Sequence, residues 1–323
     1  MAGQTAAIGK KCSTLKIAVV GAGAIGCYFG GLLARQHVNV VFVARNKTLE
    51  RLRHHELIVK SVKGNFKVPV HVIDADHLKN DSSYDFILLA VKSTAIDEVM
   101  PELQALSGPR TKIICLLNGI GNEEKLAERF GDDRIVGGSA FISIIREAPA
   151  VVNHIGEERL AIGEWKRGTS DPGLVLLAEL FRKADVKVEL TADIRRIKWE
   201  KLLWNIVYNP VTALTGTRVG EALADPDLRA LLTTVKAEYL AVAQAEGIQI
   251  SGAYSDQVLL PDQSVQYHKT SMLQDYEHGR KMELESILGF AIKTAHRHGT
   301  NVRTIEALHH LLRFTEKKQI NHP

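Results

Sequence analysis

Val19-Val20-Gly21-Ala22-Gly23-Ala24-Ile25-Gly26 decides the fold. The stretch is G-x-G-x-x-G, and it joins an apolar, β-branched run, Leu15 to Val20, to a segment of helical pattern, Ala24 to Gln36. The first glycine permits a tight turn. The second lets a pyrophosphate reach the backbone, and the third lets helix and strand pack closely. The free amides and positive dipole end of the first helical turn attract an anion. Alone the motif is generic. At a strand–helix junction within a βαβ unit it reads as a dinucleotide-binding loop, with Gly21, Ala22, Gly23, Ala24, Ile25 and Gly26 as cofactor contacts. The bland alternative is a tight turn without a ligand. Ile17 to Ala34 is also apolar enough, after Lys10, Lys11 and Lys16, to be weighed as a signal h-region or a short spanning helix. Glycines at 21, 23, 26, 30 and 31 argue against that helix.

Outward from the loop, strands and helices alternate. Val38 to Val43 reads as a strand and Lys47 to His54 as a polar helix. Leu57 to Val70 reads as a strand pair turning at Lys63-Gly64-Asn65. Asp85 to Val91 and Lys112 to Leu117 are continuous apolar runs, which suit central strands of a parallel sheet covered on both faces. Helical patterns at Thr94 to Leu106 and Asn122 to Phe130 separate them. This order predicts an α/β fold, an N-terminal Rossmann-type doubly wound sheet. A strand Ile135 to Phe141, short strands Ala150 to His154 and Arg159 to Ile162, a helix Pro172 to Ala184 and a strand Lys187 to Leu190 follow. Beyond Thr191 the pattern is helical throughout, broken at Asp225-Pro226, Pro261-Asp262 and His298-Gly299. The expected division is a tail over 1–13, a nucleotide domain over 14–190 and an all-helical domain over 191–323.

The chain has 323 residues, enough for two domains, and 45% hydrophobic content excludes wholesale disorder. A net charge of +4 is too small to argue for nucleic acid or a membrane, and suits an anionic small ligand. Cys12, Cys27 and Cys115 are scattered and odd in number, so they give no disulfide framework or metal pair and fit a reducing, cytoplasmic setting. His296 with His298, and His309 with His310, lack zinc spacing, so no metal is expected. No nucleophile elbow is present.

The end of the second strand bears on the cofactor. NAD sites usually place an acid there, but this chain reads Val43-Ala44-Arg45-Asn46-Lys47. Arg45 can pair with a 2′-phosphate through its planar fork, so NADP is favoured over NAD. The alternative is that Arg45 and Lys47 are solvated loop charges. Lys92, after the strand ending in Val91, faces the crevice where ligands bind in this fold; it is either a second phosphate contact or a snorkelling lysine.

In the second half, Lys201, Asn205 and Asn209 form one helical stripe at i, i+4 and i+8. Leu202, Leu203, Trp204, Ile206 and Val207 surround it, so the helix reads as buried, and its polar groups need partners. A half-buried lysine beside a cofactor can act as a general acid. Glu283 borders an apolar face of Leu284, Ile287, Leu288 and Ala291; without other information it is an ordinary boundary charge. Ser271 and Asp275 alone would mean a cap or turn.

Leu117-Asn118-Gly119-Ile120-Gly121, the glycine loop, Ile162-Gly163-Glu164, Lys201-x-x-x-Asn205-x-x-x-Asn209-Pro210 and Ser271-Met272-x-x-Asp275 with Glu283 together resemble the ketopantoate reductase (2-dehydropantoate 2-reductase) family, from about residue 15 to the C-terminus. The resemblance implies NADPH-dependent reduction of 2-dehydropantoate to pantoate. It implies that Lys201 protonates the ketone and that Glu283 holds substrate and cofactor-side geometry. Asn118 would sit between nicotinamide and substrate. Asn205, Asn209 and Ser271 would bind the substrate, and Ser143 would contact the cofactor. One departure stands out: Thr217-Arg218-Val219-Gly220-Glu221 has Val219 where the family usually has Asn. Arg218 could substitute as a carboxylate clamp, or the substrate could be another small 2-oxo acid. A β-hydroxyacid dehydrogenase is a further rival, but the Gly expected four residues before the lysine is Ile197. A non-catalytic NADP-binding regulator is the rival from another class. A homodimer stays open.

Overall fold

The computed structural model describes residues 15–80, 83–166, 171–260 and 263–321. The expected N-terminal tail with Cys12, and Pro261-Asp262, lie outside the described residues. Two compact units emerge. One runs to Leu117 and includes Asn122–Ile194; the other joins Asn118–Gly121 to the chain from Arg195 onward.

The first unit is built on one sheet. Its strands are β1 (Lys16–Val20), β2 (Asn39–Ala44), β3 (Leu57–Ser61), β4 (Phe66–Val68), β5 (His71–Asp74), β6 (Phe86–Leu89), β7 (Lys112–Cys115), β8 (Ile135–Ala148), β9 (Val151–Glu164) and β10 (Lys187–Leu190). The order is β4-β3-β9-β8-β7-β6-β1-β2-β5, with β10 also on β9. From β5 to β8 every neighbouring pair is parallel. That segment has the doubly wound order in which the sheet reverses direction of growth between β1 and β6. Ile17 lies opposite Val40 on one side and Phe86 on the other. All four residues of β6 are buried, as a strand covered on both faces requires.

Helices α1 (Ala24–Arg35), α2 (Asn46–His54), α3 (Met100–Leu106), α4 (Asn122–Phe130) and α5 (Pro172–Lys183) accompany the sheet. The helix expected from Thr94 begins only at Met100, after a 3-10 turn at Ser93–Ala95. Pro101, near the start of α3, sets that boundary: proline lacks an N–H and is at home only in a first turn. The region after Phe141 also differs from expectation. β8 and β9 are 14 residues each and form one long antiparallel hairpin. Register shifts on both sides of Ser143 break the period-two alternation, so the outer half of β8 does not look like a strand in sequence. Ser143 therefore lies within β8, opposite Gly156, rather than after it.

A buried polar cluster fastens the hairpin to α1. The Tyr28 hydroxyl donates to Glu158 Oε1 at 2.6 Å, and Lys63 donates to the other Glu158 oxygen. Ser61 Oγ and His154 Nδ1 lie 2.8 Å apart beside them. Burial, and the Glu158 carboxylate, push the Tyr28 phenol well above its usual range. Burial also pushes the Cys27 thiol up to about 12, as expected of a core cysteine.

The second unit is helical, and it contains no strand among the described residues. Its helices are α6 (Ile194–Thr215), α7 (Val219–Ala224), α8 (Pro226–Ala245), α9 (Gly252–Gln257), α10 (Gln263–Gln266), α11 (Ser271–Glu277), α12 (Phe290–His298) and α13 (Arg303–Asn321), with a π-helical turn at Glu285–Gly289. Trp199, Leu202, Leu203, Ile206, Val207 and Val211 make most of α6 a core element. Burying each such side chain contributes about 1.5–3 kcal/mol. The Tyr239 hydroxyl on α8 donates to the Trp199 carbonyl at 2.9 Å and fixes the turn of α6 just before Lys201. Among the described residues no helix is long and apolar enough to cross a membrane.

Candidate active site

The glycine loop lies at the reversal point of the sheet. Gly21 has φ +106°, and a Cβ there would sit 2.6 Å from the Ala90 backbone at the end of β6. Gly26 approaches so closely that an added Cβ would lie 2.0 Å from the Gly21 carbonyl oxygen. A Cβ on Gly23 would meet protein only at 3.9 Å. Turn, open cradle and close packing thus fall on the three glycines in that order. Gly23 is the N-cap of α1, and no side chain caps the helix there. The first amides of α1 are therefore available to an anion.

Beside the loop is a cavity of about 190 Å³, lined by Gly21, Ala22, Gly23, Arg45, Thr48, Glu102 and Arg146 among others. Arg45, at the end of β2, donates Nε to Asp76 Oδ1 at 2.8 Å and Nη2 to Glu102. The acids missing from the end of β2 in sequence are thus supplied from β5's following turn and from α3. Arg146, from the outer half of β8, donates to Thr48 Oγ1 at 2.7 Å. Sequence reading passed over both Glu102 and Arg146. Lys92 is half-buried beyond β6, where Val91 lines the cavity. The chemistry of these groups suits an anionic nucleotide: amides and cations can meet phosphate, and a carboxylate can meet a hydroxyl.

The second unit holds the other constellation. Lys201 Nζ donates to Asn118 Oδ1 at 3.0 Å. Asn118 Nδ2 donates to Glu283 Oε2 at 3.2 Å. Residues far apart in sequence therefore form one chain, ammonium to amide to carboxylate. The amide is read the only way that suits both neighbours, acceptor toward the cation and donor toward the anion. Glu283 is 6% exposed and stands just before the π-helical turn. Gly119, with φ +77°, lets its backbone press on that turn; a Cβ there would be 2.2 Å from the Ser286 oxygen. Ile120 N–H donates to the same oxygen at 3.0 Å, which holds Asn118 in place. π-turns recur at functional sites.

The remaining expected residues divide. Asn205 is half-buried one turn beyond Lys201. Asn209 is 1% exposed, and neither of its amide atoms has a hydrogen-bond partner. Ser271 is exposed on the first turn of α11, whose cap is Thr270 instead; Thr270 accepts from Leu273 N–H and lies 2.8 Å from Thr212 Oγ1. Asp275 is held by Arg280 at 3.0 Å. Val219 is fully buried in the helical core, its N–H on the His268 carbonyl at 3.1 Å, while Arg218 is exposed. Lys198, which the polar run with Arg195 and Arg196 would place on the surface, is only 4% exposed. The paired histidines meet carboxylates: His298 Nε2 lies 2.8 Å from Glu246 Oε2 and His309 Nε2 lies 3.1 Å from Glu285 Oε1. No group that could hold a metal ion occurs among the described residues.

A Rossmann-type sheet with a glycine-rich loop, joined to a helical unit carrying a Lys–Asn–Glu chain, is the arrangement of a pyridine-nucleotide-dependent oxidoreductase. The family model "Ketopantoate reductase PanE/ApbA" matches residues 17–167, and its C-terminal counterpart matches 193–316, so the chain belongs to the ketopantoate reductase family. The 2-dehydropantoate 2-reductase of Nostoc sp. is 28% identical over 306 residues, 93% of this chain and 95% of that protein. The crystal structure of 2-dehydropantoate 2-reductase from Geobacter metallireducens GS-15 superposes with a TM-score of 0.84 at 34% identity, covering 93% of this chain and 99% of that one. A D-mandelate dehydrogenase with NADH and anilino(oxo)acetate shares the fold, with a TM-score of 0.87 at 20% identity over 94% of this chain and 99% of its own.

Proposed function

We propose that this chain reduces a small branched 2-oxo acid, 2-dehydropantoate to pantoate, with NADPH. The observation that carries the reading is the Lys201–Asn118–Glu283 chain in a member of this family. The glycine loop, the first turn of α1 and Arg45 would hold the cofactor, with Lys92 and Ser143 as further contacts. Held there, the nicotinamide nucleotide would supply hydride chemistry at the carbonyl carbon. Lys201 Nζ gives a proton to the carbonyl oxygen as negative charge develops there, and its ammonium stabilises that charge until the transfer is complete. The product is the 2-hydroxy acid, and Lys201 regains its proton from solvent. Asn118 aims the ammonium, and Glu283 anchors Asn118 and accepts from a substrate hydroxyl. Asn205, Asn209 and Ser271 bind the substrate's hydroxyl and carboxylate. For Asn209 the support is its buried, unpartnered amide, which costs about 1–3 kcal/mol unless a ligand completes it.

A second substrate reading has its own observation. Val219 points into the core at the position where the family usually has Asn, so that hydrogen bond is absent. This favours another small 2-oxo acid whose far end is less polar. The test is NADPH oxidation, followed at 340 nm, with a panel of 2-oxo acids. Preference for 2-dehydropantoate supports the first reading, and preference for a less hydroxylated acid supports the second. Tight NADPH binding without turnover of any member would make the chain a nucleotide-binding regulator instead.

A further inference from the structure

The cavity beside the glycine loop brings together two guanidinium groups and one buried carboxylate. Glu102 is 4% exposed. One of its oxygens accepts from Arg45, and its Oε2 is buried without a hydrogen-bond partner. A carboxylate oxygen out of water and without a donor is costly, so its retention points to a ligand that completes it. Arg45 meanwhile is held from two sides, by Asp76 and Glu102, so much of its charge is already matched. Arg146 reaches the same cavity, and its partner there is the neutral Thr48 hydroxyl.

These groups weigh a 2′-phosphate and a 2′-hydroxyl differently. The hydroxyl of NADH has a proton to give to Glu102 Oε2. The 2′-phosphate of NADPH has none there. It also brings negative charge close to a buried carboxylate and must share Arg45 with it. We infer that Glu102 determines cofactor specificity: it accepts the adenosine ribose hydroxyl and keeps the site open to NADH, while Arg146 supplies the less committed cation for a 2′-phosphate. The inference rests on reading the cavity as the adenosine-ribose end of the cofactor site.

Binding of NADPH, NADH, 2′,5′-ADP and 5′-AMP is titrated calorimetrically on the full chain, in the wild type, Glu102→Gln and Arg146→Gln. Glu102→Gln keeps the side-chain volume and an acceptor for Arg45 but removes the charge. It should raise the ratio Kd(NADH)/Kd(NADPH) at least tenfold, with the same trend for 5′-AMP over 2′,5′-ADP. Arg146→Gln should lower both ratios. Glu102→Ala removes the acid by truncation and must move the ratios in the same direction as Glu102→Gln, so a folding defect in one variant does not shield the inference. Unchanged or falling ratios in the Glu102 variants overturn it even if the wild type binds NADPH well. Failure of the wild type to bind any of the four nucleotides overturns both this inference and the cofactor reading beneath it.

Discussion

Asn118 accepts a hydrogen bond from Lys201 at 3.0 Å across 83 positions of sequence. The contact exists because the loop after β7 is drawn onto the π-helical turn by the Ile120–Ser286 hydrogen bond. The same amide reaches Glu283, so one side chain links cation and anion. Removing the amide leaves two charged groups short of a partner. Asn118→Leu should lower kcat at least tenfold and cost about 1–3 kcal/mol of stability, read from urea melts. A variant with normal kcat would separate Asn118 from the chemistry.

The loop prediction concerns sterics alone. A methyl group on Gly26 would lie 2.0 Å from the Gly21 carbonyl oxygen, which is backbone and cannot swing away. Overpacking of this kind typically costs about 1–3 kcal/mol. Gly26→Ala should therefore weaken NADPH binding at least tenfold in a fluorescence titration. Unaltered affinity would mean the loop can shift without consequence for the nucleotide.

The clasp between α1 and the long hairpin should matter for stability and not for the cofactor. Tyr28→Phe removes the donor at 2.6 Å from Glu158 Oε1 and leaves a buried carboxylate oxygen short of a bond. The expected loss is about 1–3 kcal/mol in urea denaturation. A change near zero would show that the bond adds nothing over solvent.

Acid should weaken the helical unit through His268. The ring is half-buried edge-on to Trp204, with centroids 5.2 Å apart, and burial lowers its pKa below the ordinary 6.5. A lowered folded value means the unfolded chain takes up the proton first. Stability from this group is therefore complete above pH 6.5 and is lost as pH falls through the folded value. Burial lowers His309 likewise, and it adds in the same direction. Between pH 7.5 and 5.5 the wild type should lose more stability than His268→Gln, by at most about 1.4 kcal/mol per pH unit. Equal losses would contradict this.

The parallel strands were legible because strands covered on both faces are written as continuous apolar runs; Phe86–Leu89 is the plainest case. The glycine loop was legible because its spacing is a steric requirement. The long hairpin was hidden by the register shifts around Ser143, which scramble the alternation a strand normally shows. The site was legible in part. Read singly, Asn118 is a turn residue, Lys201 a helix stripe and Glu283 a boundary charge; only the family resemblance brought them together in sequence. Glu102 gave no signal, because a glutamate on a short helix looks like a solvated charge until tertiary packing places it against Arg45.

The most direct measurement is steady-state kinetics of Lys201→Ala with a parallel fluorescence titration of NADPH. If Lys201 stabilises and protonates the developing alkoxide, its effect lies mainly in the transition state, so kcat should fall by about 10²- to 10⁴-fold while NADPH affinity stays close to wild type. Lys293→Ala serves as the control, since that side chain is 78% exposed, whereas the buried Lys198 cannot play that part. A near-normal kcat in Lys201→Ala would contradict the mechanism even with the fold and the cofactor correct.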